Sequence, residues 1–336
     1  AARTSRTCFQ LLIASALLLT ASCRSSPALP EPTEFVRLAE EGLDELVDKS
    51  SRANWVQANF VTQDTERLAA DALSNLLAWT GKVGREAALY EGRNLAPDVD
   101  RKLHLLKIAL PLAAPEDAEK REELASIATE MESIYATGRY CPEGRDCLTL
   151  GQLSKTLAKS RDPKDQLAAW RGWRTISPPI RDKYRRFVKL ANEGARELGF
   201  TDLGALWRSG YDMPEQEFPA EMDRLWNQVR PLYESLHCYV RAELAQHYGE
   251  DLVPLDQPIP AHLTGNMWSQ QWGNIYDLVR PEGVDDGLDL TSILREKGLD
   301  EIGMVRYGER FFTSLGLAPL PDTFWERSQF TKPEDR

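Results

Sequence analysis

The chain is 336 residues long, and its composition, 42% hydrophobic and 28% charged, is that of a globular protein rather than a disordered one. Acidic side chains number 52 against 41 basic ones, a net charge of −11, and no basic cluster is present, which argues against nucleic acid as a partner. No apolar run reaches the roughly 18 residues that a membrane-spanning helix requires.

The first residues carry the features of an export signal. Two arginines precede a short apolar run that ends in small side chains before Cys23. This pattern predicts a signal peptide of the lipoprotein type over residues 1–23, with Cys23 acylated and residues 24–32 serving as a flexible tether. An ordinary signal peptide cut near Ala21 is the alternative. We therefore expect an exported protein, anchored through lipid to the membrane on the periplasmic side of a bacterial cell envelope.

The helical pattern dominates the rest of the chain. Apolar residues recur at spacings of three and four, whereas the alternation typical of strands is nearly absent. Two Pro- and Gly-containing segments, 251–265 and 280–287, are predicted to be irregular, and Pro231 is predicted to kink or break a long helix. The predicted helices cover 35–47, 68–77, 124–135, 152–160, 163–174, 178–198, 222–240, 266–279 and 300–315. This pattern predicts an all-α architecture of long packed helices.

The cysteines fit an oxidising compartment. Cys141 and Cys147 flank a five-residue turn, which favours a disulfide that would stabilise the fold by about 2 kcal/mol. A zinc knuckle is the alternative, although no second pair of ligands lies nearby. Cys238 is left without a partner, and we expect it to be a buried free thiol.

A search for catalytic patterns finds none. The chain has four histidines, and no two of them are four residues apart, the spacing that places two zinc ligands on one helical face. The glycine-rich and nucleophile motifs of nucleotide-binding proteins and serine hydrolases are absent from the sequence. The residues alone therefore predict no metal site in this chain.

Three polar and aromatic clusters are nevertheless unusual. Segments 170–174 and 207–211 each place an arginine beside large aromatic residues, and a partly buried arginine requires either a carboxylate partner or a bound anion. In the third segment, 266–277, Gln270 and Asn274 are four residues apart and could face a polar cleft if the segment is helical. Internal packing of that segment is the alternative.

These clusters belong to a longer set of segments shared with one family. The chain resembles the N-terminal half of the peptidyl-dipeptidase A family, the angiotensin-converting-enzyme-like zinc metallopeptidases, over residues 35–336. The pair Cys141 and Cys147 is among the matching features. The matching segments, in order, are ANW (53–55), WRGWR (170–174), WRSGY (207–211), PIPAHL (258–263), GNMW (265–268), NIYDLV (274–279), FFTSLGL (311–317) and FW (324–325).

The resemblance implies a fold and an activity. Residues 33–336 would be the N-terminal part of a zincin-like helical peptidase domain, one half of a deep two-sided cleft. Members of the family hold zinc through a His-Glu-x-x-His helix and a downstream Glu, and they release dipeptides from peptide C-termini. No zinc ligand or catalytic residue is expected within this chain. We expect the remainder of the same polypeptide to supply them, and the isolated chain to be inactive.

The resemblance also assigns individual residues. Gln270 matches a glutamine that binds the terminal carboxylate of the peptide substrate, and Trp268 matches an aromatic residue lining the same subsite. Arg174 and Tyr211 match ligands of two activating chloride ions. The alternative function is a non-catalytic peptide-binding lipoprotein of the same fold, and a related helical zinc peptidase with other specificity is a third possibility.

Overall fold

The computed structural model describes residues 29–110, 112–284 and 287–331. The predicted signal peptide, Cys23 and residues 24–28 of the predicted tether lie outside this range. The described part contains these α-helices: α1 Pro32–Asn59, α2 Gln63–Ala88, α3 Pro97–Ile108, α4 Ala118–Thr137, α5 Leu150–Lys159, α6 Pro163–Arg174, α7 Arg181–Glu197, α8 Leu203–Arg208, α9 Glu217–Tyr248, α10 Tyr276–Val279, α11 Leu290–Glu296, α12 Glu301–Ser314 and α13 Asp322–Arg327.

The predicted all-α class is confirmed. Pairing between strands in the described residues is limited to one antiparallel bridge, Tyr140 with Leu148, beside the turn that the cysteines close. Short 3-10 helices, Pro178–Ile180, Ser209–Tyr211, Ala261–Leu263 and Gly273–Ile275, link the α-helices. None of the helices among the described residues combines the length and the apolar character needed to cross a bilayer.

The first three helices pack around one apolar cluster. Pro32 occupies the first turn of α1, where its missing N–H costs nothing, and α2 begins with a capping box between Thr62 and Thr65. The apolar stripe of α1 then faces α2 and α3. The cluster contains Phe35, Val36, Ala39, Val83, Ala87, Tyr90, Val99 and Leu103.

A second cluster forms the main core between α2, α4, α7 and α8. Leu77, Leu124, Leu190 and Leu206 are almost fully buried there. Gly194 on α7 lies directly against the backbone of residues 113–114, because a glycine permits an approach that any Cβ would block. The amphipathic stripes of α2 and α4 are therefore buried in part, since Leu68 and Tyr135 of the predicted stripes are exposed.

Two further clusters join the later helices to the irregular segment 251–275. Leu153, Leu157 and Trp173 of α5 and α6 surround Met267, while Val240 and Leu244 of α9 pack with Val253, Leu263 and Ile275. The irregular segment is thus a buried connection that holds α6 and α9 together.

Helix α9 is continuous through Pro231, so of the two predicted outcomes the break is wrong, and the kink stays a prediction. Its N-terminal half exposes an apolar stripe, and α11, α12 and α13 bury none of their residues within the described part of the chain. The exposed apolar side chains of α9 are Met222, Leu225, Trp226, Val229, Leu232, Tyr233, Leu236 and Tyr239. A stripe of this length is typical of a surface that another part of a protein covers.

Two other predictions are wrong. Residues 266–279 do not form one helix, because Ser269 has a left-handed backbone (φ 59°) and only 273–279 are helical, as a 3-10 turn followed by α10. Cys238 is exposed rather than buried, since α9 turns this thiol away from the side that packs on segment 251–275.

Candidate functional site

A loop over residues 261–272, which we name the Met267 loop, carries the predicted peptide-binding residues. Met267 is only 1% exposed and is inserted between α5 and α6, where it packs in the cluster with Leu153, Leu157 and Trp173. The loop is therefore fixed at its centre by one buried side chain, which leaves its neighbours free to face solvent.

Arg174, the last residue of α6, holds the same loop by its backbone. One guanidinium nitrogen, Nη2, donates to the carbonyl of Met267 at 2.8 Å, and Nη1 donates to the carbonyl of Trp170 at 2.8 Å. The guanidinium also lies over the ring of Trp170, 3.4 Å from its centroid. Burial of the side chain lowers the pKa of Arg174 below its ordinary value.

These partners bear on the sequence-based interpretation of Arg174, for which we expected a carboxylate or an anion. Among the described residues, the guanidinium contacts two carbonyl oxygens and an aromatic face rather than a carboxylate, and the anion stays a prediction. Arg208 in the second cluster does approach a carboxylate, that of Glu215, at 4.0 Å. Trp170 and Arg174 are four residues apart on one helix, and this spacing could have predicted from the sequence that their side chains stack.

Local hydrogen bonds give the Met267 loop its shape. The side chain of Asn266 accepts from the backbone N–H of Trp268 at 2.9 Å, and the Ser269 hydroxyl donates to the carbonyl of Ala261 at 3.1 Å. The indole N–H of Trp272 donates to the carbonyl of Ser269 at 3.1 Å. Short polar side chains that bond to nearby backbone in this way favour turns over helix.

The result is a pair of exposed side chains on a fixed loop. Trp268 is 51% exposed, and Gln270 is exposed and makes no hydrogen bond to another described residue. The amide N–H groups of Gln270 are therefore available to a carboxylate, and the indole face of Trp268, two residues earlier in the chain, is available to an apolar group.

Asn274 does not extend this pair. Its side-chain amide donates to the carbonyl of Gly265 at 2.9 Å, so it closes the loop internally. Arg161 also stabilises the end of this loop, because it donates to the Asn274 carbonyl and to the carboxylate of Asp277, each at 2.9 Å. The expectation that Gln270 and Asn274 share one helical face is wrong, because the segment between them is not helical.

Tyr211 lies in a separate region. It ends the 3-10 helix Ser209–Tyr211, is 61% exposed, and contacts the ring of Phe218 with centroids 4.6 Å apart. Asp212, the next residue, has a left-handed backbone and is paired with Arg101 of α3, whose two nitrogens lie 2.7 and 3.3 Å from its carboxylate. This guanidinium lowers the pKa of Asp212.

The predicted disulfide between Cys141 and Cys147 is confirmed, and the zinc-knuckle alternative is wrong. The bond closes the turn that follows α4 and precedes α5. Within the described residues, no group of three or more His, Cys, Asp or Glu side chains could hold a metal ion. The described residues therefore do not fit a zinc site.

The described part of the chain is an α-helical protein in which the Met267 loop exposes the amide of Gln270 and the aromatic ring of Trp268. The neighbouring helix α9 exposes an apolar stripe that the described residues leave uncovered. The sequence profile described as angiotensin-converting enzyme matches residues 29–336. The chain belongs to the angiotensin-converting enzyme family, Peptidase_M2.

Individual relatives agree with the family assignment. Angiotensin-converting enzyme of Oryctolagus cuniculus is 38% identical over 310 residues, which is 90% of this chain and 23% of the relative. An angiotensin-converting enzyme-like protein of Mus musculus, Ace3, is 33% identical over 304 residues, 90% of this chain and 41% of the relative. The chain thus spans less than half the length of these relatives.

Proposed function

We propose that this chain is the part of a zinc peptidyl-dipeptidase that grips the C-terminal end of a peptide substrate. The observation that carries the proposal is the Met267 loop, held by its buried Met267, which exposes both the unpartnered amide of Gln270 and the ring of Trp268. Gln270 would donate to the free carboxylate of the peptide, and Trp268 would pack against its last side chain. Recognition of a free carboxylate explains removal of dipeptides from the C-terminus.

In this proposal, the roles of the other residues follow from their contacts. Arg174 and Met267 hold the loop in place, so that Gln270 needs no rearrangement to meet the carboxylate. Zinc, in this proposal, would be held by residues outside the described range. The residues of this chain bind and orient the peptide.

The proposed partner of the exposed helices is the remainder of the same polypeptide. Leu232 on α9 is 75% exposed, and the apolar stripe around it, from Met222 to Tyr239, continues for about five turns without cover from the described residues. The chain spans only 23% to 41% of the two relatives named above, so those proteins contain sequence that could cover such a surface.

Chloride binding is part of the proposal at two positions, Arg174 and Tyr211. The remaining N–H groups of the Arg174 guanidinium could donate to an anion, and the exposed Tyr211 hydroxyl could do the same.

Export of the protein and acylation of Cys23 are also part of the proposal. The support for both is the sequence of residues 1–23. Metabolic labelling with a fatty acid, compared between the native protein and Cys23→Ser, tests the lipid anchor.

The main proposal is tested in the complete gene product by comparing substitutions of two neighbouring glutamines, Gln270 and Gln271. Gln270→Ala should raise KM for a tripeptide with a free carboxylate by about tenfold or more, the loss expected for a hydrogen bond to a charged group. Gln271→Ala, which changes the adjacent exposed side chain, is the matched control and should leave KM within about twofold. An unchanged KM in Gln270→Ala would refute the role of the amide.

The sequence of the gene and the zinc content of the purified protein distinguish the alternative function, a non-catalytic peptide-binding envelope protein. A His-Glu-x-x-His motif encoded after codon 336, with zinc in the purified complete protein and dipeptide release, supports the peptidase. Binding of peptides with free C-termini, without zinc and without cleavage, supports the alternative.

A further inference from the structure

A cavity between α1, α2 and α3 plays no part in the proposed function. Its volume is about 170 Å³. Its walls come from all three helices and are mainly apolar. The main contributors are Leu43, Trp79, Val83, Leu105, Leu106 and Leu110.

The polar groups of the cavity wall already have partners. Glu40 and Lys102 pair with each other at 2.7 Å. The hydroxyl of Thr80 donates to the carbonyl of Leu76 in its own helix at 3.0 Å. Among the described residues, no lining side chain has a buried polar atom left without a partner. An occupant therefore finds no hydrogen bond to complete inside the cavity.

Size and polarity then limit the chemistry of the occupant. An enclosed apolar cavity of roughly 150 Å³ stays free of water and accepts benzene. This pocket has a similar volume but opens to solvent where Lys102 and Leu105 are exposed. A charged group inserted among its apolar side chains would lose hydration without compensation, whereas an apolar ring loses nothing of the kind. The indole of Trp79 in the wall also offers a ring for an edge-to-face or offset contact.

We propose that this cavity is a binding site for a small uncharged aromatic molecule of one ring. The ligand would touch Leu43 of α1, Trp79 of α2 and Leu105 of α3 at once. It would therefore add to the packing of α1 against the other two helices, which the Lys102–Glu40 pair also bridges at the rim. The site is independent of Gln270 and of the peptidase proposal.

The test uses toluene as the probe, with the full chain in solution. Saturable binding should be seen by ligand-observed NMR with a dissociation constant of about 0.1–1 mM, as expected for seven heavy atoms in an apolar site. Benzoate, which has a similar ring and a negative charge, should bind at least about tenfold more weakly. Equal binding of benzoate, or no saturable binding of toluene, would overturn the proposal.

Two substitutions place the binding in this cavity. Leu43→Phe fills the space and should weaken toluene binding by about tenfold or more, whereas Leu38→Phe, at an exposed position on the same helix, should change it by less than about twofold. Circular dichroism must show native helix content in both variants. If Leu43→Phe does not fold, Ala109→Leu fills the cavity from the end of α3 instead. Unchanged binding in the folded filling variant contradicts the assignment.

Discussion

The guanidinium of Arg174 donates to the main-chain carbonyl of Met267, 93 residues later in the sequence, at 2.8 Å. Its other terminal nitrogen also lies 3.3 Å from the sulfur of the same residue. This double approach joins the end of α6 to the centre of the Met267 loop. The placement of Trp268 and Gln270 depends on that junction, because both residues follow Met267 within three positions of the chain.

Removal of the guanidinium should loosen the loop. Arg174→Met leaves the Met267 carbonyl without its donor and should lower the free energy of unfolding by about 1–3 kcal/mol. Urea denaturation of the full chain measures this change. Arg171→Met, an exposed position on the same helix, is the control and should cost less than about 0.5 kcal/mol. Equal stability of the two variants would show that the junction is not stabilising.

The contact of α7 with the chain before α4 should not tolerate a methyl group. A Cβ on Gly194 would fall inside van der Waals distance of the backbone at Ala113 and Ala114, which cannot move as a flexible side chain could. Gly194→Ala should therefore destabilise the protein by about 1–3 kcal/mol.

The matched control for that variant is a helical glycine with open space. Gly308→Ala on α12 meets no atom within 4 Å and should be neutral or stabilise the protein by about 0.5–1 kcal/mol through helix propensity. Thermal unfolding followed by circular dichroism compares the two. A Gly194→Ala variant as stable as Gly308→Ala would contradict the close packing.

His262 should make the stability depend on pH in the weakly acidic range. Burial of the ring, with a smaller effect from Arg171, lowers the pKa of His262 below its ordinary value of 6.5. Below that value the unfolded chain takes up a proton that the folded chain does not, so stability falls as the pH decreases from about 6.5 towards the lowered pKa and is constant again beneath it. Burial lowers the pKa of His237 as well, and it acts in the same direction.

Substitution separates the contribution of His262. In His262→Leu the fall in the urea midpoint between pH 7 and pH 5 should become smaller, while a contribution from His237 remains. His247→Leu, at an exposed position near the end of α9, should keep the full dependence. A profile that His262→Leu leaves unchanged would mean that His262 protonates equally in both states.

The apolar stripe of α9 should be intolerant of charge only when the rest of the polypeptide is present. In the complete gene product, Leu232→Glu should cost about 2 kcal/mol or more, because the proposed cover buries this side chain. Leu89→Glu, on an exposed leucine at the end of α2, should cost less than about 0.5 kcal/mol. Similar stability of the two variants would contradict burial of α9.

Local pattern was sufficient for most helices and for the disulfide. The stripes of α1, α2 and α4 are confirmed in part, because a period of 3.6 residues is a property of the sequence itself. Phe35, Leu77 and Leu124 are buried as their spacing indicated, whereas Leu38, Leu68 and Tyr135 of the same stripes are exposed. Cys141 and Cys147 lie close because only a short turn separates them. The continuity of α9 through Pro231 could not be inferred, since a proline within a long pattern is compatible with a helix that continues as well as with one that ends.

The tertiary structure alone decided the arrangement of the candidate site. The sequence by itself determined that the protein is built of amphipathic helices and, through its shared segments, to which family it belongs. It did not determine that Arg174 reaches a carbonyl 93 residues away, that residues 266–272 form a turn, or that Cys238 faces outward. Those outcomes depend on contacts between residues that are far apart in the sequence. Such contacts produce no repeating pattern of residue types from which they could be predicted.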